Sequence, residues 1–220
     1  MGRKLIAIMF LLISALLSAG CTGGGGEGQG DGKGGAPHVT GSVPGGLDAN
    51  EEADIFYLRE EEKLARDAYT YFCDLFGAQI FERIAESEQT HMDAVLTLID
   101  RYGLEDPAQA EAGKFTNETL QEMYETLTTR GAASETEALA VAAEIEETDI
   151  VDLQEALART DNPEITQVYT SLMQGSENHL RAFVRNLRQL GVDYQPVVLS
   201  EEEFETIISE DIPSVRGMGS

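Results

Sequence analysis

Apolar side chains recur every three or four positions over long windows from residue 50 onward, which is the spacing of amphipathic α-helices. No strand-like alternation persists. The sequence therefore predicts an all-α fold: a four-helix bundle with a long crossover that contains a short helix, and a C-terminal extension. The predicted long helices span about 51–76, 78–101, 134–157 and 162–190, the short helix 118–129, and a final turn or two 201–209.

Capping signals place the helix ends. Asn50 is the predicted cap of the first helix, which Gly77 ends. Ser134 and Glu137 form a capping-box pattern at the start of the third long helix. Asn162 followed by proline predicts the start of the fourth.

Each long helix carries polar residues midway along its apolar stripe. In an antiparallel bundle these residues would lie at similar heights and meet. Burying several carboxylates together is costly, and a bound cation removes that cost. Iron and manganese accept both carboxylate oxygen and imidazole nitrogen, so the pattern predicts a metal site. In helix order the residues are Glu62, then Glu88 and His91, then Glu146, then Ser176 and His179.

The pair Glu88 and His91 places an oxygen and a nitrogen donor on adjacent turns of one helical face. Two alternatives stay open here. An inward histidine can be a hydrogen-bonded core residue, and a Glu-x-x-His pair also arises by chance. On the third long helix periodicity favours Glu146, while a rotation by one residue would turn Glu147 inward instead.

Four segments carry a resemblance to a known family: REEEKLAR at 59–66, SEQTHM at 87–92, IEETDI at 145–150 and GSENHLRAF at 175–183. They are similar to the ferritin-like superfamily of di-metal carboxylate proteins, rubrerythrin in particular. More closely, they resemble the ferritin-like domain-of-unknown-function family 2202. The resemblance covers most of residues 50–208 and implies a bundle that binds two iron ions, or manganese.

The resemblance also implies roles for individual residues. Glu62 would be a ligand from the first helix, Glu88 a bridging carboxylate, and His91 would complete the set of the first metal. The third long helix would give a glutamate from the 146–147 pair, and the fourth His179.

At Ser176 the superfamily has a glutamate, so the second metal would lack a ligand. The missing ligand leaves a coordination position open for water, peroxide or dioxygen, or means that only one metal binds.

The chemistry that follows is that of an oxidoreductase acting on peroxide, dioxygen or ferrous iron. Tyr69, on the same stripe as Glu62, is a candidate hydrogen-bond or one-electron partner, and a core tyrosine is the alternative. Cys21 and Cys73 are the two cysteines of the chain and form no Cys-x-x-Cys pair, so electrons would come from a separate donor.

Two other functions stay open. One is a non-catalytic protein of the cell surface that binds divalent metal. The other is a vestigial, metal-free structural bundle, in which Glu62 and Glu88 would pair with a buried arginine such as Arg66 or Arg181.

The N-terminus resembles a bacterial-type lipoprotein signal. Arg3 and Lys4 precede an apolar run over 5–19, and Cys21 follows in a lipobox-like context as the expected lipidation site. An ordinary signal peptide or an uncleaved anchor is the alternative. The predicted organisation is a signal (1–21), a glycine-rich flexible tether (22–46), the bundle (47–210) and a tail (211–220). We expect an exported protein tethered to a membrane by lipid.

The charge excludes one class of partner. Forty acidic residues against fifteen lysines and arginines give a formal charge of -25, which repels phosphate backbones, so no nucleic-acid binding is expected. Pairing of two copies into a homodimer stays open.

Overall fold

The computed structural model describes residues 46–209, and their regular secondary structure is entirely helical. This confirms the predicted all-α class. The predicted signal, Cys21, the predicted tether up to residue 45 and the predicted tail lie outside the described residues. The helices are α1 (Ala49–Phe76), α2 (Gln79–Tyr102), α3 (Glu118–Gly131), α4 (Glu135–Arg159), α5 (Pro163–Gln189) and α6 (Glu201–Ser209).

The four long helices form a bundle in which each contacts two main neighbours. Helices α1 and α2 pack as one pair and α4 and α5 as another, and the pairs meet through α1 against α4 and α2 against α5. Helix α3 covers α1 and α4, and α6 packs on α5. Of the helices within 46–209, none combines the length and apolar character needed to cross a membrane.

Two apolar clusters form the core, one towards each end of the bundle. One contains Tyr69, Phe81 and Phe183, and the other contains Leu58 and Leu172. Along α1, α2 and α5 the predicted polar residues fall between these clusters. The polar layer is therefore enclosed by packed apolar side chains above and below.

The start of α1 differs from the prediction. Asp48, not Asn50, is the N-cap, because its carboxylate accepts hydrogen bonds from the amides of Asn50 and Glu51 at 2.7 and 2.9 Å. The Glu51 carboxylate accepts in return from the Asp48 amide at 3.0 Å, which completes a capping box. Asn162 caps α5 and Pro163 begins it, as predicted.

One stretch of α1, residues 59–65, is buried on every side. We call it the buried turn. Its Glu60 carboxylate accepts hydrogen bonds from two backbone amides at the start of α3, at 2.5 and 2.9 Å. Its Lys63 ammonium pairs with Asp67 at 2.5 Å and donates to two carbonyls of the crossover. Charged side chains thus fasten the crossover (residues 103–117) against α1.

Candidate metal centre

Two histidines flank a single carboxylate between α2 and α5. Glu88 Oε2 lies 2.8 Å from His91 Nδ1, and Glu88 Oε1 lies 2.7 Å from His179 Nδ1. The two imidazole rings stack with centroids 5.4 Å apart. Ligand atoms from all three residues lie within 4.8 Å of one another, a spacing that suits a shared metal ion.

The remaining two helices bring one glutamate each to the histidines. Glu62 Oε2 on α1 lies 3.2 Å from His91 Nδ1, and Glu146 Oε2 on α4 lies 3.5 Å from His179 Nδ1. The structure thus places all five of the predicted metal ligands together. The carboxylates are about 2% exposed, while the side chains of His91 and His179 are 11% and 10% exposed. The histidine edges are the more open part of the site.

Two buried carboxylate oxygens of the site, Glu62 Oε1 and Asp149 Oδ1, have no hydrogen-bond partner among the described residues. Glu88 Oε1 and His179 Nδ1 are equally buried and pair with each other at 2.7 Å. Buried polar atoms are nearly always paired, so the two unpartnered oxygens require an explanation. The four atoms come from four different helices, and carboxylate oxygens combined with imidazole nitrogen fit a divalent cation.

The charges of the site are strongly coupled. Burial alone would lower the pKa of both histidines, but the carboxylates around them outweigh it and raise the pKa of His91 to about 11 and of His179 to about 10. Burial alone would raise the pKa of Glu88, but the two histidines lower it to about 2. Without a bound cation, two imidazolium protons therefore balance the negative charge.

The negative charges of the other two carboxylates, Glu62 and Glu146, are poorly balanced by nearby positive charge. Burial, followed by the charge of Asp149, raises the pKa of Glu62 well above its ordinary value. Burial, followed by the charge of Glu88, raises the pKa of Glu146 to about 7. Both pKa values are raised because several negative charges are buried close together, which is unfavourable in free energy. A divalent cation would remove this unfavourable term.

Tyr69 is fully buried and donates its hydroxyl to Glu146 Oε1 at 2.6 Å. Burial and the charge of Glu146 raise the pKa of the tyrosine well above its ordinary value, so it remains a protonated donor. Tyr69 therefore orients Glu146, which in turn faces His179. The sequence-based expectation of a hydrogen-bond partner agrees with this placement.

Of the two adjacent glutamates on α4, Glu146 faces the site and Glu147 does not. The Glu147 carboxylate accepts the Tyr194 hydroxyl at 2.6 Å. It also accepts backbone amides from the segment after α5, with Val198 and Leu199 each at 2.8 Å. Glu147 thus holds the C-terminal segment against α4. Of the two glutamates that the sequence left open as ligands, Glu146 is the one that faces the site.

Comparison with known proteins gives the chain a family. The profile of a family described as "Uncharacterized protein domain (DUF2202)" matches residues 51–211. The chain belongs to the DUF2202 family. The uncharacterized protein MJ0754 of Methanocaldococcus jannaschii is 46% identical over 173 residues, which cover 78% of this chain and 92% of that protein.

The fold has a crystallographic counterpart. The crystal structure of the hypothetical protein MJ0754 from Methanococcus jannaschii superimposes with a TM-score of 0.74 at 46% identity. The match covers 75% of this chain and 95% of that one. The predicted resemblance to this family is therefore confirmed, and the fold is shared with a solved structure that is 46% identical.

Two further residues of the site in this DUF2202 protein were not predicted from the sequence. Ser87, directly before Glu88, has its hydroxyl 2.9 Å from His179 Nε2 and so fixes the orientation of that ring. Asp149, one turn after Glu146, is buried and hydrogen-bonded to the hydroxyl of Ser176. The signals were the serine next to the Glu-x-x-His pair and a second acidic residue at helical spacing.

A carboxyl pair lies beside the centre. Glu61 is 2% exposed, and burial, followed by the charge of Asp152, raises its pKa well above its ordinary value. Burial also raises the pKa of Asp152. Both carboxyls therefore stay protonated at pH values where exposed carboxyls are ionised. We call Glu61 and Asp152 the carboxyl pair.

Gly175 on α5 makes room for His91. A Cβ atom at Gly175 would lie 2.4 Å from His91 Nε2. We expect Gly175→Ala to displace the His91 ring and weaken metal binding by on the order of tenfold or more, although alanine favours the helix itself by about 1 kcal/mol.

Titration of the purified variant with Mn²⁺ measures this effect. Ser171→Ala, at an exposed position one turn earlier on α5, is the matched control and should bind as wild type does. Unchanged affinity in Gly175→Ala would show that the metal does not need His91 in this position.

Proposed function

We propose that this DUF2202 protein is a di-metal carboxylate protein of the ferritin-like kind, which binds two iron ions and oxidises ferrous iron or reduces peroxide or dioxygen. The observation that carries the proposal is the convergence of buried carboxylate oxygens and imidazole nitrogens from α1, α2, α4 and α5, two of which, Glu62 Oε1 and Asp149 Oδ1, have no hydrogen-bond partner among the described residues. Protein interiors rarely leave such oxygens unsatisfied, and a cation would satisfy them.

The donor chemistry favours iron or manganese. Carboxylate oxygens combined with imidazole nitrogens suit these ions, whereas soft ions prefer thiolates and magnesium or calcium prefers oxygen alone. Iron bound there would supply Lewis acidity and one-electron redox chemistry to a small oxidant.

The residues of the chain have distinct tasks in this proposal. Glu88 lies between the two histidines, where its carboxylate could bridge two metal ions. Tyr69 orients Glu146, and Ser87 orients His179. The apolar clusters on either side exclude water from the centre. Within the site, the histidine edges are the part that reaches the surface. Substrates would therefore be small: dioxygen, peroxide or a single metal ion.

The redox function would require a separate electron donor, since the two cysteines do not form a paired motif. We also propose, from the N-terminal sequence alone, that the protein is exported and lipidated at Cys21. That arrangement would hold the metal centre at the outer face of a membrane.

A non-catalytic metal-binding protein is the second candidate. It is favoured by the burial of the centre, whose carboxylates are about 2% exposed and so leave little access for a reaction partner. The vestigial bundle has less support, because Arg66 pairs with Asp67 and Gln89, and histidines lie where that hypothesis needs arginine.

Metal analysis and a turnover assay together test the proposal. We expect the full chain to bind two ferrous ions anaerobically and to oxidise them with dioxygen or peroxide faster than free iron is oxidised. Two bound ions without faster oxidation would favour the non-catalytic protein. Failure to bind iron, manganese or zinc would refute both metal hypotheses.

A further inference from the structure

Asp149 brings a fourth carboxylate to the centre. It lies three residues after Glu146 on α4, so both side chains project from the same face of the helix. It is 5% exposed. Its carboxylate accepts a hydrogen bond from Ser176 on α5, and its charge acts on Glu62 of α1 and on Glu88 and His91 of α2. Asp149 thus interacts with residues of the three other long helices.

Ser176 determines how Asp149 is held. The serine hydroxyl, fully buried on α5, is hydrogen-bonded to Asp149 Oδ2. The other oxygen, Oδ1, has no hydrogen-bond partner among the described residues. One oxygen is therefore anchored and the other is left with free lone pairs, as in metal-binding carboxylates that are oriented by a neighbouring hydrogen bond.

We infer that Asp149 is a metal ligand that supplies from α4 the carboxylate missing from α5, with Ser176 as its positioning residue. This inference rests on the proposed function. The position of Ser176 is then not an open coordination site, contrary to the sequence-based expectation. The second ion has a full complement of protein ligands in a centre of four carboxylates and two histidines. These ligands are Glu62, Glu88, Glu146, Asp149, His91 and His179.

The substitution Asp149→Asn tests this inference with little change in shape. Asparagine can still accept the Ser176 hydrogen bond but offers no charged oxygen to a metal. We expect calorimetric titration of the full chain with Mn²⁺ to show two sites in wild type, and the second site weakened by at least ~100-fold in Asp149→Asn. Glu155→Gln, at an exposed position on the same helix, is the matched control and should retain two sites.

A second variant separates positioning from ligation. Ser176→Ala removes the hydrogen bond but keeps the carboxylate, so we expect the second ion to bind about tenfold more weakly without being lost. Both effects are read from the Mn²⁺ titration, with circular dichroism to confirm that each variant is folded.

The outcomes distinguish this inference from the proposed function. Two unaltered Mn²⁺ sites in folded Asp149→Asn would overturn the role of Asp149 and leave the metal centre standing. A wild-type chain that binds neither Mn²⁺ nor Fe²⁺ would overturn both. If Asp149→Asn fails to fold, Asp149→Ala combined with Ser176→Glu returns the carboxylate to α5. Recovery of the second site would then support the inference, and its absence in a folded chain would refute it.

Discussion

Glu88→Gln is expected to abolish metal binding and to lower the free energy of unfolding of the metal-free chain by about 3 kcal/mol. Glu88 is 1% exposed and lies within 2.8 Å of both histidines, so its charge is what stabilises the two imidazolium groups. Glutamine leaves those buried groups without their main counter-charge and removes the central donor. Metal analysis and urea unfolding of the metal-free protein measure the two effects.

The matched control for this change is Glu86→Gln, two residues earlier on α2 and exposed. It removes the same charge from the same helix and should alter neither metal content nor unfolding. Full metal content in Glu88→Gln would contradict a bridging role for Glu88. The essential carboxylate ligands would then be Glu62 and Glu146.

Changing each of the adjacent residues Glu146 and Glu147 to glutamine should affect a different property: metal binding for Glu146 and stability for Glu147. In Glu147→Gln, only one of the two carboxylate oxygens remains, so the NH₂ group must face either the Val198 and Leu199 amides or the Tyr194 hydroxyl that now donates, and the negative charge that all of these donors share is lost. We expect a loss of about 3 kcal/mol of stability and release of residues 194–209, with metal binding retained. Glu146→Gln should remain folded and bind metal weakly.

Hydrogen exchange over residues 194–209 and Mn²⁺ titration measure this pair of effects, and each variant is the control of the other. Normal protection of the C-terminal segment in Glu147→Gln would show that other contacts, such as those of α6 with α5, suffice to hold it. Unchanged metal affinity in Glu146→Gln would remove that residue from the centre.

Helical periodicity predicted the elements of the bundle well, because its helices are long and each has one apolar stripe. The same stripes brought Glu62, Glu88, His91 and His179 to one layer, since each polar break lies at a similar height. Element ends were less predictable: Asp48 rather than Asn50 caps α1, because only the reciprocal bond with Glu51 selects between two good capping residues.

Contacts from outside the four-helix pattern could not be predicted. Glu60 and Lys63 lie off the apolar stripe and are buried because the crossover folds over them. Glu147 could not be separated from Glu146 until the segment after α5 was seen to return to it. Asp149 could have been predicted from its position three residues after Glu146 on one helical face, but its hydrogen bond with Ser176 could not.

The carboxyl pair of Glu61 and Asp152 makes the stability of the fold depend on pH. In the folded chain both carboxyls hold protons at pH values where the unfolded chain has already released them. Their contribution is fully present below the ordinary pKa values, 4.5 for Glu61 and 3.8 for Asp152, and is lost as pH rises through the raised ones. Folding therefore takes up protons at this pair, and mild acid favours the folded chain.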